Sequence, residues 1–85
     1  MTSIYRVERM SRGQIVITDG RRELVVEGEG LPFAKEGEPS YVLYSNSIHS
    51  WTTDGGREPA TETEKQNIVA FIVDWARSRM TMVVE

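Results

Sequence analysis

The apolar positions of this chain change period along its length. In Ile4-Tyr5-Arg6-Val7-Glu8-Arg9 they recur every second residue, with Tyr5 and Val7 on one face and Arg6 and Glu8 on the other. That alternation predicts a strand. Ser11-Arg12-Gly13 reads as a turn. Gln14-Ile15-Val16-Ile17-Thr18 is rich in β-branched residues, which suit a pleated, half-buried surface. Asp19-Gly20 follows and signals a two-residue hairpin turn, since glycine accepts a positive φ at little cost. Glu23-Leu24-Val25-Val26-Glu27 is the expected partner strand. Ile15 and Ile17 then share a core face with Leu24 and Val26, and Glu23 and Glu27 point outward.

Periodicity fails over residues 28–39, where Gly28, Gly30, Pro32, Gly37 and Pro39 interrupt it. Ser40-Tyr41-Val42-Leu43-Tyr44 reads as a further strand on which Tyr41 and Tyr44 have opposite parity, so one of them faces outward. Ser45-Asn46-Ser47 can turn the chain, and Ile48-His49-Ser50-Trp51 is a short strand or a packed loop. Thr52-Thr53-Asp54-Gly55-Gly56-Arg57-Glu58-Pro59 has the composition of a loop.

The period then becomes helical. Ile68, Phe71, Ile72, Trp75 and Ala76 fall at i, i+3, i+4, i+7 and i+8, one apolar stripe facing a core. Thr61 followed by Glu64 fits a capping box. Glu62 and Glu64 complement the positive end of the helix dipole, Arg77 and Arg79 the negative end. Thr81-Met82-Val83-Val84-Glu85 reads as a last strand. A lone helix must bury its stripe on something, and a sheet is the natural support. The expected fold is α+β: one domain over residues 1–85, a mostly antiparallel sheet of four to six strands packed on one C-terminal helix, then a final strand.

Composition narrows the function. The 85 residues suffice for one core. The absence of cysteine excludes disulfides, thiolate chemistry and cysteine-ligated zinc, and fits a reducing cytoplasm. No basic segment followed by an apolar run opens the chain, and no apolar run reaches membrane-spanning length, so neither a signal peptide nor a membrane is expected. A net charge of −3 argues against nucleic acid, which needs a basic face, and suits a basic partner.

Candidate chemistry is sparse. The one histidine, His49, would have to pair with Ser45, Ser47 or Ser50, and no nucleophile-elbow sequence accompanies them. No ligand spacing points to a metal, and Gly28-Glu29-Gly30 lacks the lysine of a phosphate loop. Glu27 and Glu29 read as a solvated strand edge. Trp75 reads as core, while Trp51 suits either a loop anchor or an interface. No catalytic residue, cofactor or metal is therefore assigned.

Gly13-Gln14-Ile15-Val16-Ile17-Thr18-Asp19-Gly20-Arg21, Val26-Glu27-Gly28-Glu29, the segment Tyr44-Ser45-Asn46-Ser47-Ile48-His49-Ser50-Trp51, the acid-capped helix and the terminal apolar strand follow one another in an order that resembles immunity protein family 74 of bacterial polymorphic toxin systems. The stretch Thr52–Gly56 departs from the aromatic or proline-bearing loop expected after the tryptophan. The resemblance implies a small cytoplasmic protein that binds and inhibits a cognate toxin encoded beside it. It carries no catalytic residues. The expected partner surface joins His49, Trp51, Asp54 and Arg57 to the acidic Glu27, Glu29, Glu36 and Glu38, which would suit the basic cleft of a nuclease domain. The alternative is a structural module without catalysis, pairing with a second copy as a homodimer through an exposed sheet edge.

Overall fold

The computed structural model describes residues 4–85. The expectation of no leader sequence drew also on Met1–Ser3, which lie outside the described residues. Seven strands and one helix follow in the order β1 (Arg6–Met10), β2 (Gln14–Thr18), β3 (Glu23–Gly30), β4 (Tyr41–Leu43), β5 (Ser50–Thr53), β6 (Gly56–Pro59), α1 (Glu62–Ala76) and β7 (Met82–Val84), with a 3-10 turn at Ser45–Ser47. The expected α+β order of strands, one helix and a final strand is present.

The main sheet runs β1-β2-β3-β4-β7. β1, β2, β3 and β4 pair antiparallel, while β7 lies parallel to β4 in the register Tyr41↔Met82, Val42↔Val83, Leu43↔Val84. The sheet is therefore mixed. β3 is long enough to serve two neighbours along one edge. Its first residue pairs with β5 at Glu23↔Thr52, and its last three pair with β4.

In the β2–β3 hairpin the four residues expected to share a core face do so, in the register Ile15↔Val26 and Ile17↔Leu24. Its connection corrects the expected two-residue turn: it is four residues long, Asp19–Arg22, because Asp19 Oδ1 accepts from the amides of Arg21 and Arg22 at 3.0 and 2.9 Å. Gly20 takes φ +97° there. In β1 the register slips between Val7 and Arg9, a bulge at Glu8. It allows Val7 and Met10, three residues apart, both to pack against the core.

The segment expected as a loop at 52–59 is mostly strand. β5 and β6 form a second hairpin with Trp51↔Glu58 and Thr52↔Arg57, turning at Asp54-Gly55. All four residues of β6 are exposed, so no apolar alternation marks it. This hairpin is why the strands number seven.

The core packs one sheet face on α1, around Ile15, Ile17, Leu24, Val26, Tyr41, Leu43, Ile48, Trp51, Ile68 and Ile72. Ile68, Ile72 and Ala76 form the buried line of the helix. Phe71 sits half-buried on its flank, 5.8 Å from the Tyr5 ring. Trp75 corrects its expected place. It is half-buried outside the core cluster, with the Arg79 guanidinium 4.6 Å over its ring. Trp51 is the tryptophan of the core, with no exposed surface.

Candidate functional site

Two neighbouring features meet where β4 and β7 end, beside Glu27 and Gly28 of β3. The first is an acidic corner on the sheet face away from α1. Glu27 and Glu29 lie on β3 at one parity, opposite to the buried Leu24 and Val26, and both are exposed. The chain leaving β4 folds against them. The Tyr44 amide donates to the Glu27 carbonyl at 3.0 Å, Ser47 Oγ accepts from the Glu27 amide at 2.8 Å, and Tyr44 Oη donates to Glu29 Oε2 at 3.0 Å. The Glu29 hydrogen bond, partial burial and the negative field of Glu29 and Glu85 raise the Tyr44 phenol above its usual range. Tyr41 turns inward and Tyr44 outward, as their parity requires. Glu85 joins the corner because its carbonyl accepts from the Ser45 amide and hydroxyl at 2.8 and 2.7 Å.

The second feature is a groove of about 670 Å³ on the helix side, floored by Ile48, Val69, Ala70 and Val84 and rimmed by Ser45, Asn46, His49, Glu62, Lys65 and Gln66. His49 is exposed on this rim. The nearby hydroxyls are committed elsewhere: Ser45 Oγ donates to the Glu85 carbonyl and Ser47 Oγ to the Tyr44 carbonyl at 2.6 Å. Among the described residues, no group of three or more His, Cys, Asp or Glu side chains is placed to hold a metal ion.

The expected partner residues are thus divided. Glu27, Glu29 and His49 are brought to one end of the sheet. Glu36 and Glu38 are exposed in the loop after β3, where Glu38 Oε1 accepts from the Lys35 amide at 2.9 Å. Asp54 and Arg57 are exposed on the β5–β6 hairpin, which joins β3 at Glu23. Six residue steps along extended β3 lead from Glu23 to Glu29, roughly 20 Å. Trp51 takes the structural of its two readings. It lies inside the core and supports the surface without reaching it.

Sequence reasoning missed Arg22. Its guanidinium lies 4.3 Å over the Trp51 ring and pairs with Asp19 at 2.8 Å, Glu58 at 3.1 Å and Glu64 at 3.0 Å. Asp19 is local, at i,i+3, but Glu58 and Glu64 come from β6 and the helix start, so no local spacing announces the cluster. Burial works against the Arg22 charge, but hydrogen bonds to the three carboxylates outweigh it and raise its pKa. Burial likewise opposes ionisation of Asp19, yet the Arg21 and Arg22 amides and the guanidinium hold that carboxyl below its usual range. The Thr61 amide is the main influence lowering Glu64, with Arg22 adding to it against partial burial. The cluster is a clamp on the fold, tying the hairpin turn to the helix.

Also missed is Phe33, 93 % exposed on the loop after β3. Its signal in the sequence is only the Pro32-Phe33 pair in a segment without periodicity.

No helix of the described residues is long and apolar enough to cross a membrane. No curated protein and no solved structure gives a significant match. The family model described as Immunity protein 74 matches residues 7–85, from the start of β1 through β7, and the chain belongs to that family.

Proposed function

We propose that this protein neutralises a cognate bacterial toxin domain in the cytoplasm by binding it, stoichiometrically and without catalysis. The family match over residues 7–85 carries this reading. The contact face we assign is the end of the sheet where Glu27 and Glu29 meet the groove rimmed by His49, with Glu36 and Glu38 adding negative charge on the next loop. A net charge of −3 favours a basic toxin, and a nuclease domain with a phosphate-binding cleft is the class it fits best. Such a partner would be occluded by carboxylates placed where its substrate's phosphates lie.

The test is co-expression with the toxin encoded beside its gene. Cells that make the toxin should grow only when this protein is made as well, and the two should co-purify in equal amounts. Failure of both the rescue and the complex would overturn the proposal. A second reading, a homodimer acting as a structural module, draws on the uncovered edge of β7. A strict monomer by light scattering at high concentration counts against it.

A further inference from the structure

Among the described residues the sheet has three outer strands, β1, β6 and β7. Exposed edges invite pairing, and proteins blunt them with charge, bulges and proline. β1 carries Arg6, Glu8 and Arg9 and a bulge. β6 carries Arg57, Glu58 and Pro59. β7 reads Met-Val-Val and has none of these devices, and Val83 and Val84 are each 38 % exposed.

The backbone of β7 is half used. The Thr81 carbonyl accepts from the Ser40 amide at 2.8 Å, and the Glu85 amide donates to the Leu43 carbonyl at 2.8 Å. Residues 81 and 85 therefore face β4, and by alternation so does Val83. The N–H and C=O groups of Met82 and Val84 point to the free edge. Their side chains share the helix face, in register with the buried Tyr41 and Leu43.

The helix leaves room over this edge. On its β1 flank, Tyr5 fills the gap between Phe71 and Trp51, with ring centroids 5.8 and 6.1 Å away. On its β7 flank no aromatic among the described residues does so. Val69 and Val84 line the 670 Å³ groove, and Val73 and Met82 line a second cavity of about 300 Å³ beside it. Two outward amide pairs thus run beneath an apolar trough under one helix flank.

We infer that β7 takes an added strand from the toxin, an extended segment with apolar residues at alternate positions and lysine or arginine on its other face. This inference rests on the immunity reading. Main-chain hydrogen bonds to Met82 and Val84 give affinity, and the alternate apolar side chains enter the trough. The outer-face cations meet Glu85, with Glu29 and Tyr44 behind it. A second copy of this chain fits less well, since its own β7 segment, Thr81–Glu85, brings no cation to that corner.

The experiment uses the full chain and a catalytically inactive form of the toxin encoded beside its gene. Val84→Pro removes an N–H facing the free edge and leaves the bonds to β4 in place. It should raise the Kd about tenfold, the loss of one or two main-chain hydrogen bonds and their strand geometry, with Tm nearly unchanged. In the unmodified protein, the Met82 and Val84 amides should gain exchange protection when toxin is added. If toxin binds but those amides stay unprotected and Val84→Pro binds as tightly, the edge is wrong while the immunity reading stands. If the unmodified protein binds no toxin, both fall. Protection that rises with concentration before toxin is added would overturn the toxin strand in favour of a second copy.

Discussion

Trp51 and Gly28 show how single residues are constrained from opposite directions. Trp51 is completely buried, and its indole N–H finds no hydrogen-bond partner among the described residues. Leaving that donor unmade has a cost. The ring's contact with Arg22 and its place in the core offset it. Gly28 is required by its neighbour. The Tyr41 ring crosses it, and a Cβ there would stand 2.7 Å from Tyr41 Oη, 2.8 Å from Cζ and closer still to Cε1. Tyr41 cannot easily withdraw, because its hydroxyl donates to the Ser11 carbonyl at 3.1 Å and its ring is buried. Gly28→Ala should cost about 1–3 kcal/mol by overpacking, read from the denaturation midpoint. Gly13→Ala, with open space around it, should not behave this way. The sequence leaves both open, since Gly28 looks like a loop glycine and Trp51 suits a loop anchor or an interface.

The helix is the element the sequence describes best, because its signals are local. Thr61 Oγ1 accepts from the Glu64 amide at 3.1 Å, and Glu64 Oε1 accepts from the Thr61 amide at 3.0 Å, as the Thr-x-x-Glu spacing predicts. The other oxygen of Glu64 reaches Arg22, so one side chain serves the cap and the clamp. Thr61→Ala should therefore cost about 1 kcal/mol, an ordinary N-cap loss. Glu64→Ala should cost more, since it breaks both contacts. The two variants with Arg22→Met, combined in a double-mutant cycle of unfolding free energies, should give coupling between positions 22 and 64 and almost none between 22 and 61. At the other end Arg79 donates to the Trp75 carbonyl at 2.6 Å, beyond the last helical residue. The β5–β6 hairpin shows the opposite case. It has turn residues but no apolar alternation, so only its pairing with β3 identifies it.

Across the whole molecule, charge decides how stability responds to acid. Asp19 and Glu64 are held below their usual pKa in the folded state. A carboxyl with a lowered folded pKa binds fewer protons folded than unfolded between the two values. Its stabilisation is complete above the unfolded pKa, near 4. It is lost as pH falls through the lower folded value. The melting temperature should thus hold from pH 7 to about 5 and fall steeply below about 4. Arg22→Met should lower it at neutral pH and flatten the acid limb, because the clamp's carboxylates then lose their main side-chain partner. An unchanged acid limb in that variant would refute the assignment.

The chain by itself determined the α+β order, the core face shared by Ile15, Ile17, Leu24 and Val26, the capped helix and the family. All of these rest on patterns within a few residues or on the order of segments. Tertiary structure decided which tryptophan is core, since Trp51 and Trp75 both sit on apolar faces and only packing ranks them. It divided the expected partner surface, because β3 carries β5 at one end and β4 at the other. It also left β7 at a sheet edge. A strand's neighbours are set by long-range pairing, and the same Met-Val-Val would be ordinary core if another strand lay beside it.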